Sequence, residues 1–321
     1  MNCRVSVITP IYNTEDDLER CLQTLLAQTL SEMEFIWIDN GASDECRRII
    51  RKYANKRQGI RVVTLTENIG YCGAMNKGLS QATGKYVGFC DSDDYVDADY
   101  YEKLYKQAEA SKADVTYCGL ILEYKNKSVK RELLATNITT PSLLDHLRYG
   151  SVWNGLFRRT FIKKNNISFS ENKSSIYRDN TFCIPAILRA NKTAIVKDAF
   201  YHYVQHTKST ISGLDETTKK EQTYQTLEEI LKKVRPIDRT DSFIKFLFRS
   251  LSIMQLDTLP TEANLLKKKK MWKQLYFQAR TFSHPTWAQR FFSIVHHPMK
   301  PVIKIRFLGI SFKIKQKEKS L

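Results

Sequence analysis

The first hundred residues alternate short apolar runs with amphipathic helical patterns, and this alternation most constrains the fold. Apolar runs rich in β-branched and aromatic residues stand at 5–9, 35–38, 60–65 and 86–90. Helical spacing of apolar residues separates them, as at 15–29, where acidic residues fill the first turn. Such β-α units predict an α/β fold with a mostly parallel central sheet flanked by helices. Further helices are predicted at 46–53, 72–82 and 100–112, and a further strand at 115–122.

The positive charge is concentrated towards the end of the chain. The formal net charge is +17, and residues 221–321 hold 20 Lys and Arg against 8 Asp and Glu, a balance of +12. Helical periodicity dominates from 222 to 280. We therefore predict a catalytic domain over 1–220 and a basic, mainly helical extension over 221–321. An excess of this size predicts an anionic partner, which is nucleic acid, an anionic membrane surface or a phosphorylated substrate.

The end of the chain combines aromatic and basic residues. Residues 286–299 carry several aromatics, and 302–315 alternate apolar and basic positions around Gly309, which predicts two short amphipathic strands. This composition suits docking on the inner face of an anionic membrane, where each Lys or Arg contributes about 1 kcal/mol. The alternative is a subdomain that packs its apolar side on the catalytic core, and both can hold.

Several protein classes are disfavoured. Seven cysteines without a CxxC pair indicate buried thiols in a reducing compartment, not a disulfide framework or a zinc site. No apolar window reaches 18 residues, and Pro10 interrupts the amino-terminal apolar stretch, so we expect a cytoplasmic protein, peripheral at most on the membrane. Nucleic-acid binding would require stacking aromatics in a basic stripe or a recognisable binding motif, and neither is evident.

The strongest local signal is the acidic loop, defined as residues 91–94 (DSDD), directly after a predicted strand. Ligands of parallel sheets bind beyond the carboxyl ends of the strands. Carboxylates this close oppose one another's ionisation unless a cation neutralises them. Mn²⁺ or Mg²⁺, held by one or two carboxylates and by diphosphate oxygens, would do so. The alternative is an acidic surface turn or a helix cap at Asp94.

Five segments then occur in a recognisable order: VSVITPIYN at 5–13, IDNGASD at 38–44, NIGYCGAMNKG at 68–78, GKYVGFCDSDD at 84–94 and WN at 153–154. Together they resemble the inverting family 2 glycosyltransferases, which have the GT-A nucleotide-diphospho-sugar transferase fold and build bacterial surface polysaccharides. The resemblance implies transfer of a sugar from a nucleotide-sugar, by family habit a UDP-sugar, to a hydroxyl of an oligosaccharide or lipid-linked acceptor in lipopolysaccharide, capsule or teichoic acid synthesis. A homo-oligomer is compatible with it.

The resemblance also implies roles for single residues. It assigns donor binding to residues that follow the strands: Pro10, Tyr12, Asp39, Asn68, Asp91 and Ser92. Pro10 and Tyr12, which end the first predicted strand, line the base, Asp39 accepts a hydrogen bond from uracil or ribose, and Asn68 faces the base. The resemblance assigns metal coordination to Asp93, with Asp91 near the metal. The alternative for Tyr12 is a packed aromatic and for Asn68 a turn residue.

The acceptor side of the resemblance requires a general base. The family uses an Asp followed closely by an aromatic residue, and 177–182 (YRDNTF) matches this with Asp179. The alternative is an ordinary ion pair of Asp179 with Arg178 or Lys173. A later segment, 201–209, resembles the family's aromatic segment and assigns Ser209 to phosphate. There His202 or His206 would reach metal or phosphate, against the alternative of a satisfied core histidine.

The chain departs from the family pattern at four positions: Asn40 for Asp, Met75 for Arg, Arg178 for Glu and Val204 for Arg. Losing two positive charges predicts weaker donor binding, since each charge-assisted contact is worth about 1.5–3 kcal/mol. Lys77, Arg178 or Lys208 would have to compensate. The departures leave open an altered donor, reduced activity, or a non-catalytic GT-A-fold partner protein in a polysaccharide assembly complex.

Overall fold

The computed structural model describes residues 3–132, 151–171, 176–206, 213–235, 293–296, 302–307 and 310–315. The chain divides into two compact units, Met1–Gln255 and Leu256–Leu321. In the described part of the chain, no helix combines the length and the apolar character needed to cross a bilayer.

The first unit alternates strands and helices, as predicted. Its strands are β1 Val5–Ile11, β2 Met33–Asp39, β3 Ile60–Thr64, β4 Tyr86–Phe89, β5 Tyr95–Val96, β6 Val115–Tyr124, β7 Lys127–Arg131, β8 Gly155–Arg158 and β9 Thr193–Val204. Its helices are α1 Glu15–Leu26, α2 Asp44–Tyr53, α3 Tyr71–Gln81, α4 Tyr100–Ser111, α5 Arg159–Lys164, α6 Asn180–Arg189 and α7 Glu216–Lys233.

One sheet organises this unit, in the order β3-β2-β1-β4-β8-β6-β9-β5, with β7 paired to β6. Strands β3, β2, β1 and β4 are parallel neighbours, and the predicted α/β architecture is confirmed. From β4 onward the sheet is mixed, because β8 runs antiparallel to both β4 and β6, while β6 and β9 are parallel. All seven residues of β1 and of β2 are buried, which is expected for parallel strands covered by helices on both faces.

Local sequence explains the first helices. Helix α1 buries Leu18, Cys21, Leu22 and Leu25, the spacing of one helical face. Its first turn is acidic, which the helix dipole favours. Helix α2 begins after Ser43, whose hydroxyl accepts a hydrogen bond from the Cys46 N–H.

The first strand is longer than predicted. It was expected to end at Pro10, but β1 continues to Ile11, and Pro10 stands in register with Ile38 of β2. Within β1, only Val5–Ile8 pair with β4. At Pro10 β1 therefore has no neighbour on the β4 side, and the missing N–H forfeits no ladder hydrogen bond there. Tyr12 follows the end of the strand.

The second unit contains a three-stranded antiparallel sheet of β10 Ser293–His296, β11 Val302–Phe307 and β12 Ile310–Lys315. The two short strands predicted within 302–315 are confirmed as β11 and β12. The predicted helical content between 236 and 292 lies outside the described residues. The predicted domain boundary at 220 falls within α7, and the division into a catalytic domain and a basic extension remains a prediction.

Candidate active site

The site residues come from the carboxyl ends of parallel strands. In β1 and β2, Ile11 is in register with Asp39, and β4 runs parallel beside β1. The segments that follow these strands therefore start from one edge of the sheet. This edge brings together the predicted residues Tyr12, Asp39 and Asp91, and it is the edge at which α/β sheets bind ligands.

The acidic loop is tied down by hydrogen bonds from both flanking layers. The Asp91 N–H donates to the Tyr201 hydroxyl at 3.0 Å, and the Thr14 hydroxyl donates to that of Ser92 at 3.0 Å. The Val204 N–H donates to Asp94 Oδ1 at 2.8 Å. Ser92 and Asp94 are buried. The loop is therefore held by β9 and by the segment before α1, and it does not form the exposed acidic turn of the alternative interpretation.

The carboxylates of this loop are poorly compensated. Burial, together with the charges of Asp93 and Asp179, raises the pKa of Asp91 well above its usual value. Burial and the charges of Asp93 and Asp91 do the same to the pKa of Asp94. Asp94 Oδ2 is buried without a hydrogen-bond partner. Burial also raises the pKa of Asp93. These carboxylates resist carrying full charge unless a cation joins them.

This donor set fits a divalent cation. The described residues contain no preassembled group of three or more His, Cys, Asp or Glu side chains around one point. Mg²⁺ needs only one or two protein carboxylates when substrate phosphates and water complete its shell. Asp93, whose side chain is 38% exposed, and Asp91 supply two such carboxylates. These two residues fit the predicted ligand set, and the metal assignment stays a prediction.

The two histidines have different surroundings. His206 Nε2 lies 3.6 Å from Asp93 Oδ2 and 3.6 Å from Asp17 Oδ2, so this imidazole is beside the acidic loop. In contrast, His202 Nδ1 lies 2.8 Å from Glu123 Oε1. The second ring nitrogen of His202 lies 3.2 Å from an Asp97 oxygen. Both nitrogens of His202 are thus engaged, which is the satisfied alternative, and only His206 lies next to a predicted metal ligand.

Asp39 lies in a fully organised loop. It is 2% exposed, its Oδ1 accepts the Ala42 N–H at 2.9 Å, and its Oδ2 pairs with Arg47 Nε at 2.9 Å. Gly41 follows with φ +70, and a Cβ there would lie 2.8 Å from the Asn68 nitrogen. Only glycine adopts this conformation without strain at such a close approach. Asp39 and Asn68 are thereby held in adjacent turns.

Asn40 explains one departure from the family pattern. Its Nδ2 donates to Asn68 Oδ1 at 3.0 Å, while its Oδ1 accepts the Ile69 N–H at 3.0 Å. An aspartate at position 40 could accept from Ile69 but could not donate to Asn68. The amide therefore joins the loop after β2 to the turn before α3. Asn68 also accepts the Gly70 N–H at 2.7 Å, so its side chain stabilises this turn whether or not it also contacts a nucleotide base.

Tyr12 is 45% exposed just beyond β1. The packed-aromatic alternative requires a buried ring, so this exposure favours a residue available to a ligand. Pro10 is buried within β1. Ser209 and Lys208 lie outside the described residues, and their predicted contacts with phosphate stay predictions.

Asp179 lies at the amino end of α6, where its side chain makes no capping hydrogen bond. Burial raises the pKa of this carboxyl, although the Arg178 charge and the Ser151 hydroxyl oppose the increase. The charge of Asp179 in turn contributes to raising the pKa of Asp91. Lys173, one ion-pair partner of the alternative interpretation, lies outside the described residues.

Three aromatic residues of the site had no predicted role. The Tyr71 hydroxyl donates to Asp91 Oδ1 at 3.1 Å, and burial and the charges of Asp91 and Asp179 raise its pKa, so the phenol stays a donor. Tyr201 accepts from the Asp91 N–H and stacks on Trp153, with centroids 4.5 Å apart. All three residues lie in segments that carried the resemblance, but nothing in the sequence showed their partners.

Neither of the two positions at which the family pattern has arginine, 75 and 204, carries a charged side chain. Met75 is fully buried, and Val204 contributes a backbone N–H to Asp94. Among the proposed substitutes, Arg178 lies with its guanidinium carbon 5.8 Å from the centre of the Tyr71 ring. Another cation, Arg20, donates to the Asp93 carbonyl at 3.2 Å and to Asp17 at 2.6 Å. Arg20 was missed because its position in α1 carries no motif.

A cavity of about 280 Å³ lies on the α5–α6–α7 side of the first unit, and Arg189 and Lys233 contribute to its lining. Arg189 donates to the carbonyls of Asn165 and Lys233, and Lys233 donates to those of Ser168 and Phe169. These cations thus fix the carbonyl groups of neighbouring segments. The cavity does not include the residues of the acidic loop.

Comparison with known proteins gives consistent matches. Glycosyl transferase family 2 matches residues 6–185. The chain is 32% identical over 218 residues to the uncharacterized glycosyltransferase EpsJ of Bacillus subtilis, covering 64% of this chain and 62% of EpsJ. It is 30% identical over 247 residues to a cholesterol galactosyltransferase of Borreliella burgdorferi, covering 72% of this chain and 68% of that protein. The chain thus spans less than two thirds of EpsJ.

Solved structures with the same fold cover nearly the whole chain. Residues 1–349 of Staphylococcus aureus TarS in complex with UDP align with a TM-score of 0.66 at 20% identity, covering 97% of this chain and 98% of that one. A mannosyltransferase of Pyrobaculum calidifontis in complex with GDP-Man and Mn²⁺ aligns with a TM-score of 0.58 at 16% identity, covering 90% and 79%. At these identities the likeness concerns the fold.

Proposed function

Because the chain belongs to glycosyltransferase family 2, we propose that it transfers a sugar from a UDP-sugar to an acceptor hydroxyl with inversion at the anomeric carbon. One observation carries this proposal. The clustered carboxylates of Asp91 and Asp93 lie beyond β4. The Tyr71 side chain, whose hydroxyl donates to Asp91 Oδ1, has its ring centre 5.8 Å from the guanidinium carbon of Arg178, the residue before Asp179. A donor-binding group and a candidate base are therefore neighbours.

The donor lies along the edge formed by β1, β2 and β4. The exposed Tyr12 ring contacts the base, and Asp39 and Asn68 recognise base and ribose. Asp39 already accepts two hydrogen bonds, but a carboxylate has about four acceptor sites, so it can still accept one from a ribose or uracil donor. UDP is favoured because TarS, which has this fold, was solved with UDP and with UDP-GlcNAc.

Asp93 and Asp91 would hold Mn²⁺ or Mg²⁺, which would supply positive charge to neutralise the departing diphosphate. The metal in the Pyrobaculum mannosyltransferase supports a divalent ion on this fold. In this chain, support comes from the two carboxylates, whose pKa values are raised by burial and by neighbouring negative charge.

Asp179 accepts the proton of the acceptor hydroxyl. The acceptor oxygen forms a bond to the anomeric carbon while the bond from that carbon to the diphosphate oxygen breaks on the opposite face. The nucleoside diphosphate leaves with the electron pair, and this single displacement inverts the anomeric centre. Burial raises the pKa of Asp179, which makes its ionised form a stronger base than an exposed aspartate.

The acceptor is an oligosaccharide or a lipid-linked glycan used in bacterial surface polysaccharide synthesis. The balance of +12 over residues 221–321 supports docking on the inner, anionic face of the cytoplasmic membrane, where a lipid-linked acceptor is available. A peripheral cytoplasmic enzyme would meet both the UDP-sugar and such an acceptor. Binding to anionic but not to neutral vesicles tests this location.

Isothermal titration calorimetry of the full chain with UDP tests the central proposal. We expect binding in Mn²⁺ or Mg²⁺ and much weaker binding in EDTA, because the carboxylates repel a diphosphate unless a cation intervenes. A screen of UDP-sugars by thermal shift in Mn²⁺ then identifies the donor, since a ligand that binds the folded state raises the melting temperature. Absence of UDP binding in both metal buffers would contradict the proposal.

A further inference from the structure

Tyr71 lies between the two functional parts of the site. It is the first residue of α3, and its hydroxyl donates to Asp91 Oδ1 at 3.1 Å. The charges of Asp91 and Asp179 both contribute to raising the pKa of the phenol. Tyr71 is thus hydrogen-bonded to the acidic loop on the predicted donor side, and the charge of the predicted base acts on it.

The Tyr71 ring is fixed on two sides. Phe169 packs against it edge to face, with centroids 6.4 Å apart and an interplanar angle of 85°. The Arg178 guanidinium carbon lies 5.8 Å from the ring centre, at the distance of a cation–π contact. Since Arg178 directly precedes Asp179, the ring that holds Asp91 also contacts the segment that carries the base.

The hydrogen bond from Tyr71 restrains the Asp91 side chain. A carboxylate at the end of a strand can rotate about its side-chain bonds, and a bond to one oxygen selects one orientation. Tyr71 engages Oδ1, which leaves Oδ2 to the cation or the ribose. Asp94, by comparison, is oriented by the Val204 N–H. Asp91 thus has one oxygen fixed from α3, and the buried Asp94 has one oxygen fixed from β9.

We propose that Tyr71 is a positioning residue of the donor site, which holds Asp91 in the orientation that receives the metal-bound nucleotide. This inference rests on the proposed metal-dependent binding of a nucleoside diphosphate. It adds a residue that neither the metal nor the base assignment requires, and it links the donor side to the Arg178–Asp179 segment through one aromatic ring.

The test is Tyr71→Phe in the full chain, which removes the hydroxyl and keeps the ring contacts with Phe169 and Arg178. Calorimetry with UDP should show about tenfold weaker binding in Mn²⁺, equivalent to 1.4 kcal/mol, and little change in EDTA. A merely structural role would weaken binding in both buffers alike. Tyr86→Phe is the matched control, because that hydroxyl bonds Glu109 at the other end of β4, and it should change neither value.

A double-mutant cycle with Asp91→Ala shows whether Tyr71 acts through Asp91. Once the carboxylate is absent, Tyr71→Phe should cause no additional loss of UDP affinity in Mn²⁺. Equal losses in both backgrounds, or a Tyr71→Phe variant that binds like the wild type, would overturn the inference and leave the proposed function intact. A wild-type protein that binds no UDP in Mn²⁺ would overturn both. Unchanged affinity in EDTA shows that the variant is folded.

Discussion

The two ends of the central strands treat buried carboxylates in opposite ways. At the amino-terminal ends, Glu34 is 8% exposed, and its Oε1 accepts the Ser6 hydroxyl at 2.5 Å and the backbone N–H groups of Thr83 at 2.6 Å and Gly84 at 3.2 Å. At the carboxyl ends, Asp91 receives a single hydroxyl bond from Tyr71, and Asp94 keeps one buried oxygen without a partner.

The pKa values follow this difference. Burial alone would raise the pKa of Glu34, but the hydrogen bonds from Ser6, Thr83 and Gly84 outweigh burial and lower it. At the other end, burial and neighbouring negative charge raise the pKa values of Asp91 and Asp94. The chain's own donors satisfy the carboxylate at the first end, whereas the carboxylates at the second end have few internal donors. Perturbed carboxylates of this kind are typical of functional sites.

The largest expected effect lies at the uncompensated end. Asp179→Asn keeps the size of the side chain but removes the base, so transfer should fall by about 10²- to 10⁴-fold, while UDP binding in Mn²⁺ stays unchanged. Initial rates with the identified donor, beside calorimetry, measure the two quantities. Asp198→Asn, at an exposed aspartate in β9, is the control. Wild-type transfer by Asp179→Asn would remove the base assignment.

The pH dependence of the same reaction sharpens this assignment. Because burial raises the pKa of Asp179, kcat/KM should decline on the acid side at a higher pH than for an ordinary aspartate. The base acts only when ionised, so activity is present above that pKa and lost as the pH falls through it. A rate profile whose acid limb matches an unperturbed aspartate would contradict a base whose pKa is raised.

The second effect separates the metal ligand from a neighbouring acid. Asp93→Asn should weaken UDP binding in Mn²⁺ by about 100-fold, the loss of roughly two charge-assisted contacts, and should abolish the difference between Mn²⁺ and EDTA. Asp99→Asn removes an aspartate that pairs with Lys103 near the same loop and should leave that difference intact. Persistence of the metal effect in Asp93→Asn would move the ligand elsewhere.

Local sequence predicts the helices and strands up to β6 much better than it predicts the order of the strands in the sheet. Up to β6, each predicted element is present within a few residues, because apolar periodicity and capping act over short distances. The family resemblance is confirmed by the match over residues 6–185. The place of β8 between β4 and β6 was not predicted, since a strand's neighbour is decided by pairing between distant segments.

The same limit applies within the site. The acidic loop and Asp39 followed from position after a strand. The partners of these residues did not, because Tyr201 is 110 residues from Asp91 along the chain and Tyr71 is 20. Asn40 was considered a departure from the family, yet its amide pairs with Asn68. Motifs thus identified the candidate residues, and tertiary contacts that the motifs do not reveal surround them.

At the satisfied end, the expected effect is on stability. Glu34→Gln should lower the free energy of unfolding by about 1–2 kcal/mol at pH 7, because bonds to an ionised acceptor become bonds to a neutral one. The folded-state pKa of Glu34 lies below its usual 4.5. Its contribution is therefore complete above pH 4.5 and disappears as the pH falls through the folded value. Urea denaturation should show that the difference in unfolding free energy between the wild type and Glu34→Gln is smaller at pH 3 than at pH 7. UDP binding at pH 7 should be unaffected.

The smallest expected effect concerns the base-binding surface. Tyr12→Leu should weaken UDP binding by about fivefold, since stacking on a base is worth about 1–3 kcal/mol and this ring is only partly covered. Binding of inorganic diphosphate in Mn²⁺ should not change, because it has no base to stack. Tyr124→Leu alters another exposed tyrosine, 41% accessible at the end of β6, and should leave UDP binding unchanged. Equal losses for UDP and diphosphate would instead place Tyr12 beside the phosphates, and the carboxyl edge would then hold its ligand by charge alone.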